Sequence, residues 1–298
     1  MNFVVANAVK LIPDFVYRKQ GPSSLWVARQ YATAADVALL MDADRLFRGP
    51  GCEIVKDQRK IKVARLRISL GGQLHALYLK RYNFFSWRVP LGSLFLGSGA
   101  ARALCGAAVL SKAGIASAKP IAAVESRCWG MVTQSFFFTE EIEGGKTVDA
   151  YWRDDLSKLE GQDGFRRRRS FLRSLAALFR SLHGRQLYHD DLKDANILAV
   201  GGGQNRADCF FLLDLEGIRQ CRRISDRRRI KNLVQLNRTL GRYLRRTDKI
   251  CFLKEYLGRE FDARREKRRW AGKIYRRSTR QDRQKLLQGR MRNDSTAS

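Results

Sequence analysis

Moving a phosphoryl group from a nucleotide to a hydroxyl takes few side chains, but each must stand in a set place. One carboxylate lies beside the attacking hydroxyl, while an amide and a second carboxylate keep magnesium on the phosphates. The stretch Leu187-Tyr-His-Asp-Asp-Leu-Lys-Asp-Ala-Asn-Ile-Leu198 carries that set as His189, Asp191, Lys193 and Asn196, in the H-x-D-x-x-x-x-N spacing of a kinase catalytic loop. Asp214 follows behind the apolar run Phe210-Phe-Leu-Leu, which reads as a strand. In this reading Asp191 accepts or orients the hydroxyl proton, and Lys193 reaches the γ-phosphate. Asn196 and Asp214 bind Mg²⁺, and His189 braces the loop from the core side. A bare D-x-x-x-x-N arises often by chance. The histidine before it, Ile-Leu after it and the strand-borne aspartate downstream make it specific. The bland alternative is an acidic turn between two core strands.

Such a loop needs a nucleotide-holding half before it and helices after it. Glu53-Ile-Val-Lys-Asp and Ile61-Lys-Val-Ala-Arg-Leu-Arg-Ile-Ser alternate apolar and polar residues, and the turn Leu70-Gly-Gly-Gln-Leu74 leads into Ala76-Leu-Tyr-Leu-Lys80. This predicts an antiparallel meander ending at Lys80, the candidate ATP-binding lysine. A helix is expected over Gly99 to Lys112, then strands near Ile121–Glu125 and Val132–Thr139. The polar, Gly-rich Thr139-Glu-Glu-Ile-Glu-Gly-Gly145 suits a hinge, where backbone groups of Glu140, Glu141 and Ile142 would meet adenine. Beyond it the period becomes helical. Phe171, Leu172, Leu175, Leu178, Phe179 and Leu182 form one stripe running into the catalytic loop. Shorter stripes carry Leu233, Leu236, Leu240 and Leu244, then Phe252, Leu253, Tyr256 and Leu257. The implied boundaries are a small lobe over residues 1–138 (1–44 an extension), a hinge at 139–146, a helical lobe at 147–257 and a basic tail at 258–298.

At 298 residues the chain can fill such a two-lobed α+β enzyme. Six scattered cysteines without a C-x-x-C pair favour reduced thiols, and three histidines cannot build a His-rich metal site. The apolar start, Met1 to Pro13, lacks the basic leader and cleavage site of a signal peptide. The stretch from Val89 to Leu110 reads as a loop and a helix, not as a membrane span. The net charge is +29. From Gly217 to Ser298 there are 27 Lys and Arg against 8 Asp and Glu, so most of the excess sits there. Such a field recruits polyanions: an anionic membrane, a phosphorylated glycolipid or nucleic acid.

Tyr78-Leu-Lys80-Arg-Tyr, Gly114-Ile, Ser135-Phe-Phe-Phe-Thr139-Glu, Leu182-His-Gly-Arg-Gln-Leu-Tyr-His189-Asp-Asp191-Leu and Leu213-Asp214-Leu-Glu follow one another in order. Together they resemble the bacterial lipopolysaccharide kinase (Kdo/WaaP) family over about residues 45–258. The resemblance implies a bilobal protein-kinase-like fold, with an antiparallel β-rich N-lobe and a mainly helical C-lobe. It implies ATP and Mg²⁺ as cofactors and a sugar hydroxyl of the lipopolysaccharide core, on heptose or Kdo, as acceptor. The place of work would be the cytoplasmic face of the inner membrane, with the protein bound peripherally.

Three features depart from a protein kinase. No G-x-G-x-x-G precedes Lys80, Asp190 stands where the catalytic loop usually has arginine, and no Asp or Glu lies between Asp57 and Glu125. The small-lobe helix therefore carries no carboxylate for Lys80, and Glu125 is the nearest substitute. A pseudokinase scaffold on membrane is the rival reading. A kinase of another small molecule or of a protein is the other, although the dozen residues between Asp214 and Arg227 leave a protein kinase little activation segment. Trp270 and Tyr275 among arginines could stack bases, yet no nucleic-acid module is legible, so nucleic acid is disfavoured.

Overall fold

A computed structural model describes residues 12–83, 97–202 and 207–294, with side chains through 287. Most of the apolar amino-terminal stretch, the loop expected from residue 89 and the last residues of the tail lie outside the described residues. The chain divides into two compact units, Met1–Glu143 with Asp214–Ile218, and Gly144–Leu213 with Arg219–Ser298. The α+β class expected from the sequence holds, with an antiparallel sheet in the first unit and helices dominating the second.

The first unit is a seven-stranded sheet. Its strands are β1 (Phe15–Gln20), β2 (Ser23–Ala28), β3 (Glu53–Gln58), β4 (Ile61–Leu70), β5 (Gln73–Tyr82), β6 (Pro120–Cys128) and β7 (Met131–Glu140). They lie in the order β1-β2-β6-β7-β5-β4-β3, antiparallel throughout. Gly71 and Gly72, with φ of +57° and +79°, form the two-residue turn between β4 and β5. The turn is pinned by the Gly71 amide donating to Asp36 Oδ1 at 3.1 Å. One face of the sheet buries Leu25, Ala64, Leu66, Leu77, Leu79, Phe136 and Phe138 beside helix α1 (Ala34–Met41). Removing each large apolar side chain from water there contributes about 1.5–3 kcal/mol. β1 and β2 fall inside the stretch the sequence reading left as an extension. The buried run Leu25-Trp-Val-Ala28 identifies them only once paired with β6.

Alternation along β5 decides where its lysine points. Leu77 and Leu79 face that core, so Tyr78, Lys80 and Tyr82 take the opposite face. On the sheet, α2 (Gly99–Lys112) packs against β6 and β7 and against the short turn Leu215–Gly217. Its Gly106 touches that turn so closely that a Cβ would stand 2.1 Å from the Leu215 carbonyl oxygen. Ser98 caps the helix by accepting the Ala101 amide at 3.0 Å.

The second unit is built on α3 (Gly161–Gly184), whose predicted stripe is buried at Phe171, Leu172, Leu175, Phe179 and Leu182. Strand β8 (Lys146–Thr147) and β9 (Leu187–His189) precede the hairpin β10 (Ile197–Val200) and β11 (Cys209–Leu212). Three helices follow: α4 (Asp226–Arg238), α5 (Arg246–Leu257) and α6 (Arg264–Asp294). The periodic run from Leu233 to Leu244 is not one helix, since α4 stops at Arg238 and Leu240 lies in a 3₁₀ turn. No helix of the described residues is long and apolar enough to cross a membrane.

Gly106→Ala tests the α2 contact. Alanine ordinarily favours a helix interior by about 1 kcal/mol over glycine. Here the clash with Leu215 should reverse the sign and cost about 1–3 kcal/mol in chemical denaturation. Unchanged stability would show that the helix does not lie on that carbonyl.

Candidate functional site

The ammonium of Lys80 sits among groups of its own unit. Nζ bonds directly to Asp214 Oδ1, lies 3.6 Å from Glu216 Oε1 and stands 4.9 Å from the Tyr82 ring centroid. The other oxygen of Glu216 is 3.4 Å from Arg102 Nη2, and Arg102 Nη1 donates to the Gly97 carbonyl at 2.8 Å. Asp214 adopts a left-handed φ of +56°, a conformation that costs most L residues energy and that aspartate tolerates better. The Gly217 amide donates to the Asp214 carbonyl at 3.0 Å and closes the turn. Burial, then the nearby Glu216 and Asp214 charges, push the Tyr82 phenol well above its usual range.

The structure thus supplies the carboxylates that the sequence left without a source. They come from the turn, not from α2, whose contribution is a cation. Glu125 is not the substitute: its Oε1 accepts from Arg127 Nε at 2.8 Å, and the ion pairs of Lys80 are with Asp214 and Glu216. Glu216 is the contact of Lys80 that the motifs did not point to. Its only signal was a second acid two places after Asp214.

At the expected hinge, the Glu140 and Glu141 amides donate to the carbonyls of Lys119 and Ala76 at 2.9 and 3.0 Å. Those two amides are therefore not available to an adenine edge, which corrects the expectation for them. Their side chains hold Lys119 and Arg65. Ile142 lies two residues past the end of β7.

In the second unit the residues of the H-x-D-x-x-x-x-N stretch contact one another. Lys193 Nζ lies 2.6 Å from Asp191 Oδ2. Asn196 Nδ2 donates to the Asp191 carbonyl at 2.7 Å, which leaves Oδ1 as the amide's acceptor atom. His189 is wholly buried. Its Nδ1 accepts the Asp191 amide at 3.1 Å, so Nε2 carries the proton and donates to the Leu213 carbonyl at 2.9 Å. The Leu213 amide returns to the Asn196 carbonyl at 2.9 Å, and Asp214 is the next residue along the chain. Asp190, where arginine was expected, pairs with Arg219 at 3.1 Å.

Helix α4 clamps this loop from behind. Gln235 Nε2 donates to the Asp190 carbonyl at 2.8 Å, and its Oε1 accepts the Leu192 amide at 3.1 Å. Asn232 Nδ2 donates to the His189 carbonyl at 2.6 Å, while its Oδ1 accepts from His183 Nε2 at 3.1 Å. His183 Nδ1 then accepts the Tyr256 hydroxyl at 2.8 Å, and that oxygen also accepts Arg229 Nε at 2.8 Å. The network is buried and polar, so each broken link leaves an unsatisfied group behind.

The lipopolysaccharide kinase (Kdo/WaaP) family model matches residues 86–256, a segment that contains the catalytic loop, Asp214 and the α4 clamp. The chain belongs to that family. A solved structure of WaaP in complex with acyl carrier protein aligns with a TM-score of 0.58 and 18% identity, covering 80% of this chain and 92% of that one. At that identity the likeness is one of fold, and it agrees with the kinase-like architecture expected from the motifs. No curated protein matches in sequence. Lys80 precedes the matched residues, so its place rests on its geometry.

A member of a kinase family handles a nucleotide and, commonly, Mg²⁺. Among the described residues no three His, Cys, Asp or Glu side chains gather as a metal cage. Asp214 offers a carboxylate in the first unit and Asn196 an amide oxygen in the second. Each is a hard oxygen of the kind Mg²⁺ commonly takes, one or two at a time, with phosphate and water completing its shell. By donor chemistry each fits that ion.

The buried network carries a pH signature. Burial first, then the charge of Arg229, hold His183 down to about 4 from its ordinary 6.5, against the raising bond from Asn232. Above pH 6.5 the histidine is neutral in both states, so it contributes no pH dependence. Between 6.5 and 4 the unfolded chain binds a proton that the folded one refuses, and stability falls as pH drops. The loss should approach about 3 kcal/mol at pH 4, read from denaturation midpoints. His183→Gln should flatten that slope; an equal slope in the variant would remove His183 as its source.

Proposed function

We propose that this protein transfers the γ-phosphate of ATP to a sugar hydroxyl of the lipopolysaccharide core, heptose or Kdo, at the cytoplasmic face of the inner membrane. The observation that carries the reading is the braced set of Asp191, Lys193 and Asn196 in a chain of the lipopolysaccharide kinase family. Asp191 orients the acceptor hydroxyl and takes its proton on a carboxylate oxygen. Lys193 holds that carboxylate and offers positive charge to the phosphoryl group in flight. Lys80 directs the nucleotide phosphates. Asp214 and Asn196 are the residues that would hold Mg²⁺, which would supply positive charge for the transferring phosphate. Ile142 and its neighbours would meet the adenine. A pseudokinase scaffold would have no use for this loop held by six hydrogen bonds from His189, Gln235 and Asn232 and within itself.

The tail supports the membrane part of the reading. Trp270 is buried, with the Arg229 guanidinium 4.5 Å from its ring centroid, so it cannot stack bases as a nucleic-acid reading would need. Asn237 Nδ2 to Ser278 Oγ at 2.9 Å and Arg238 to Asp282 at 2.9 Å fix the same face of α6 onto α4. Arg264, Arg265, Arg268, Arg276, Arg277 and Arg280 remain exposed. Beside an anionic surface each basic side chain is worth about 1 kcal/mol.

Two measurements test the proposal. Labelled γ-phosphate should enter dephosphorylated lipopolysaccharide with the wild type, and Asp191→Asn should slow the transfer by about 10²–10⁴. Label entering equally with both proteins would dismiss Asp191. Replacing Arg264, Arg268, Arg276 and Arg280 by Gln should weaken sedimentation with anionic liposomes by about 100-fold or more while sparing ATP binding. Unchanged sedimentation would end the membrane role of α6.

A further inference from the structure

Lys80 holds two carboxylates of one turn, and they are not equivalent. Asp214 takes the shorter bond, yet Asp214 is also the acid assigned to the metal. Glu216 touches Lys80 through Oε1 and Arg102 through Oε2. The two cations thereby fix the plane of its carboxylate, and Arg102 is itself held by the Gly97 carbonyl. All three side chains are largely covered, with Lys80 17%, Glu216 21% and Arg102 32% exposed. An ammonium covered to that degree needs a counter-charge that persists.

On the kinase reading given above, we infer that Glu216 is the positioning residue that keeps Lys80 aimed at the nucleotide phosphates once Asp214 is occupied by the metal, with Arg102 fixing Glu216. In protein kinases the lysine's carboxylate comes from the small-lobe helix. Here the polarity is exchanged: the helix brings the arginine, and the turn brings the acid. Three observations converge on this assignment. No acid occurs in α2, Glu125 pairs with Arg127 and not with Lys80, and Gly106 lets α2 lie directly on Leu215, between the two acids. A role confined to stabilising Arg102 would leave the contact with Lys80 without purpose.

The test reads MgATP affinity by calorimetry, steady-state phosphate transfer and thermal stability on the same proteins. Glu216→Ala and Glu216→Gln should each lower kcat about 100-fold and weaken MgATP binding about tenfold, with the acceptor KM unchanged. Glu216→Asp should recover part of both, and Arg102→Ala should shift them in the same direction by less. The melting temperature of Glu216→Gln should stay within a few degrees of wild type. Wild-type kcat and MgATP affinity in Glu216→Gln would overturn the inference. So would a Glu216→Ala whose only defect is a lowered melting temperature that Gln restores. A wild type that neither binds MgATP nor transfers phosphate would instead bring down the kinase reading, and this assignment with it.

Discussion

A lysine ammonium on the covered face of a sheet cannot stand alone, and the first unit is arranged around that fact. The counter-charges for Lys80 come from Asp214 and Glu216, two residues apart on one short turn. For the turn to reach the lysine, Lys80 must sit inside β5 facing away from the Leu77 and Leu79 core, which strand alternation secures. Asp214 must accept a left-handed backbone. Helix α2 must come close enough to press on Leu215, and only a glycine at 106 allows it. Strain and close packing of this kind collect where a group has to be held against its own preference.

The second unit solves a different problem with different means. Asp191 is nearly half exposed, with 44% of its side chain open, and its position depends on groups that hold the loop backbone. His189 and Asn196 hold it from within, and Asn232 and Gln235 hold it from α4. The further links through His183, Tyr256 and Arg229 carry that support into the hydrophobic interior. Buried polar chains are costly to leave half satisfied, so this one gives the loop a single arrangement.

Much of this was legible in the sequence. The spacing of His189, Asp191 and Asn196 and the Phe171–Leu182 stripe found the loop and the helix before it, because both are local patterns. The Gly71-Gly72 turn was equally plain. β1 and β2 were passed over, since β1 pairs only with β2 and the pairing of β2 with β6 spans about a hundred residues. The break of the Leu233–Leu244 run came from tertiary packing overriding a period. Glu216 was invisible as a partner of Lys80 because protein kinases keep that acid in the helix, and here it lies on a turn far along the chain. The Asn232 and Gln235 clamp gave no signal either. An amide on the buried face of an amphipathic helix looks like noise until the backbone it serves is known.

Placing both acids on one turn changes what could switch such an enzyme. Protein kinases are commonly turned off by swinging the small-lobe helix outward, which parts the lysine from its glutamate. In this chain the same swing would remove only Arg102, and Lys80 would keep Glu216, since lysine and acid are joined without the helix. Gly106 also seats the helix directly on Leu215, with no room for a Cβ between them. Lysine and acids are thus paired as the first unit folds, with no helix needed to bring them together.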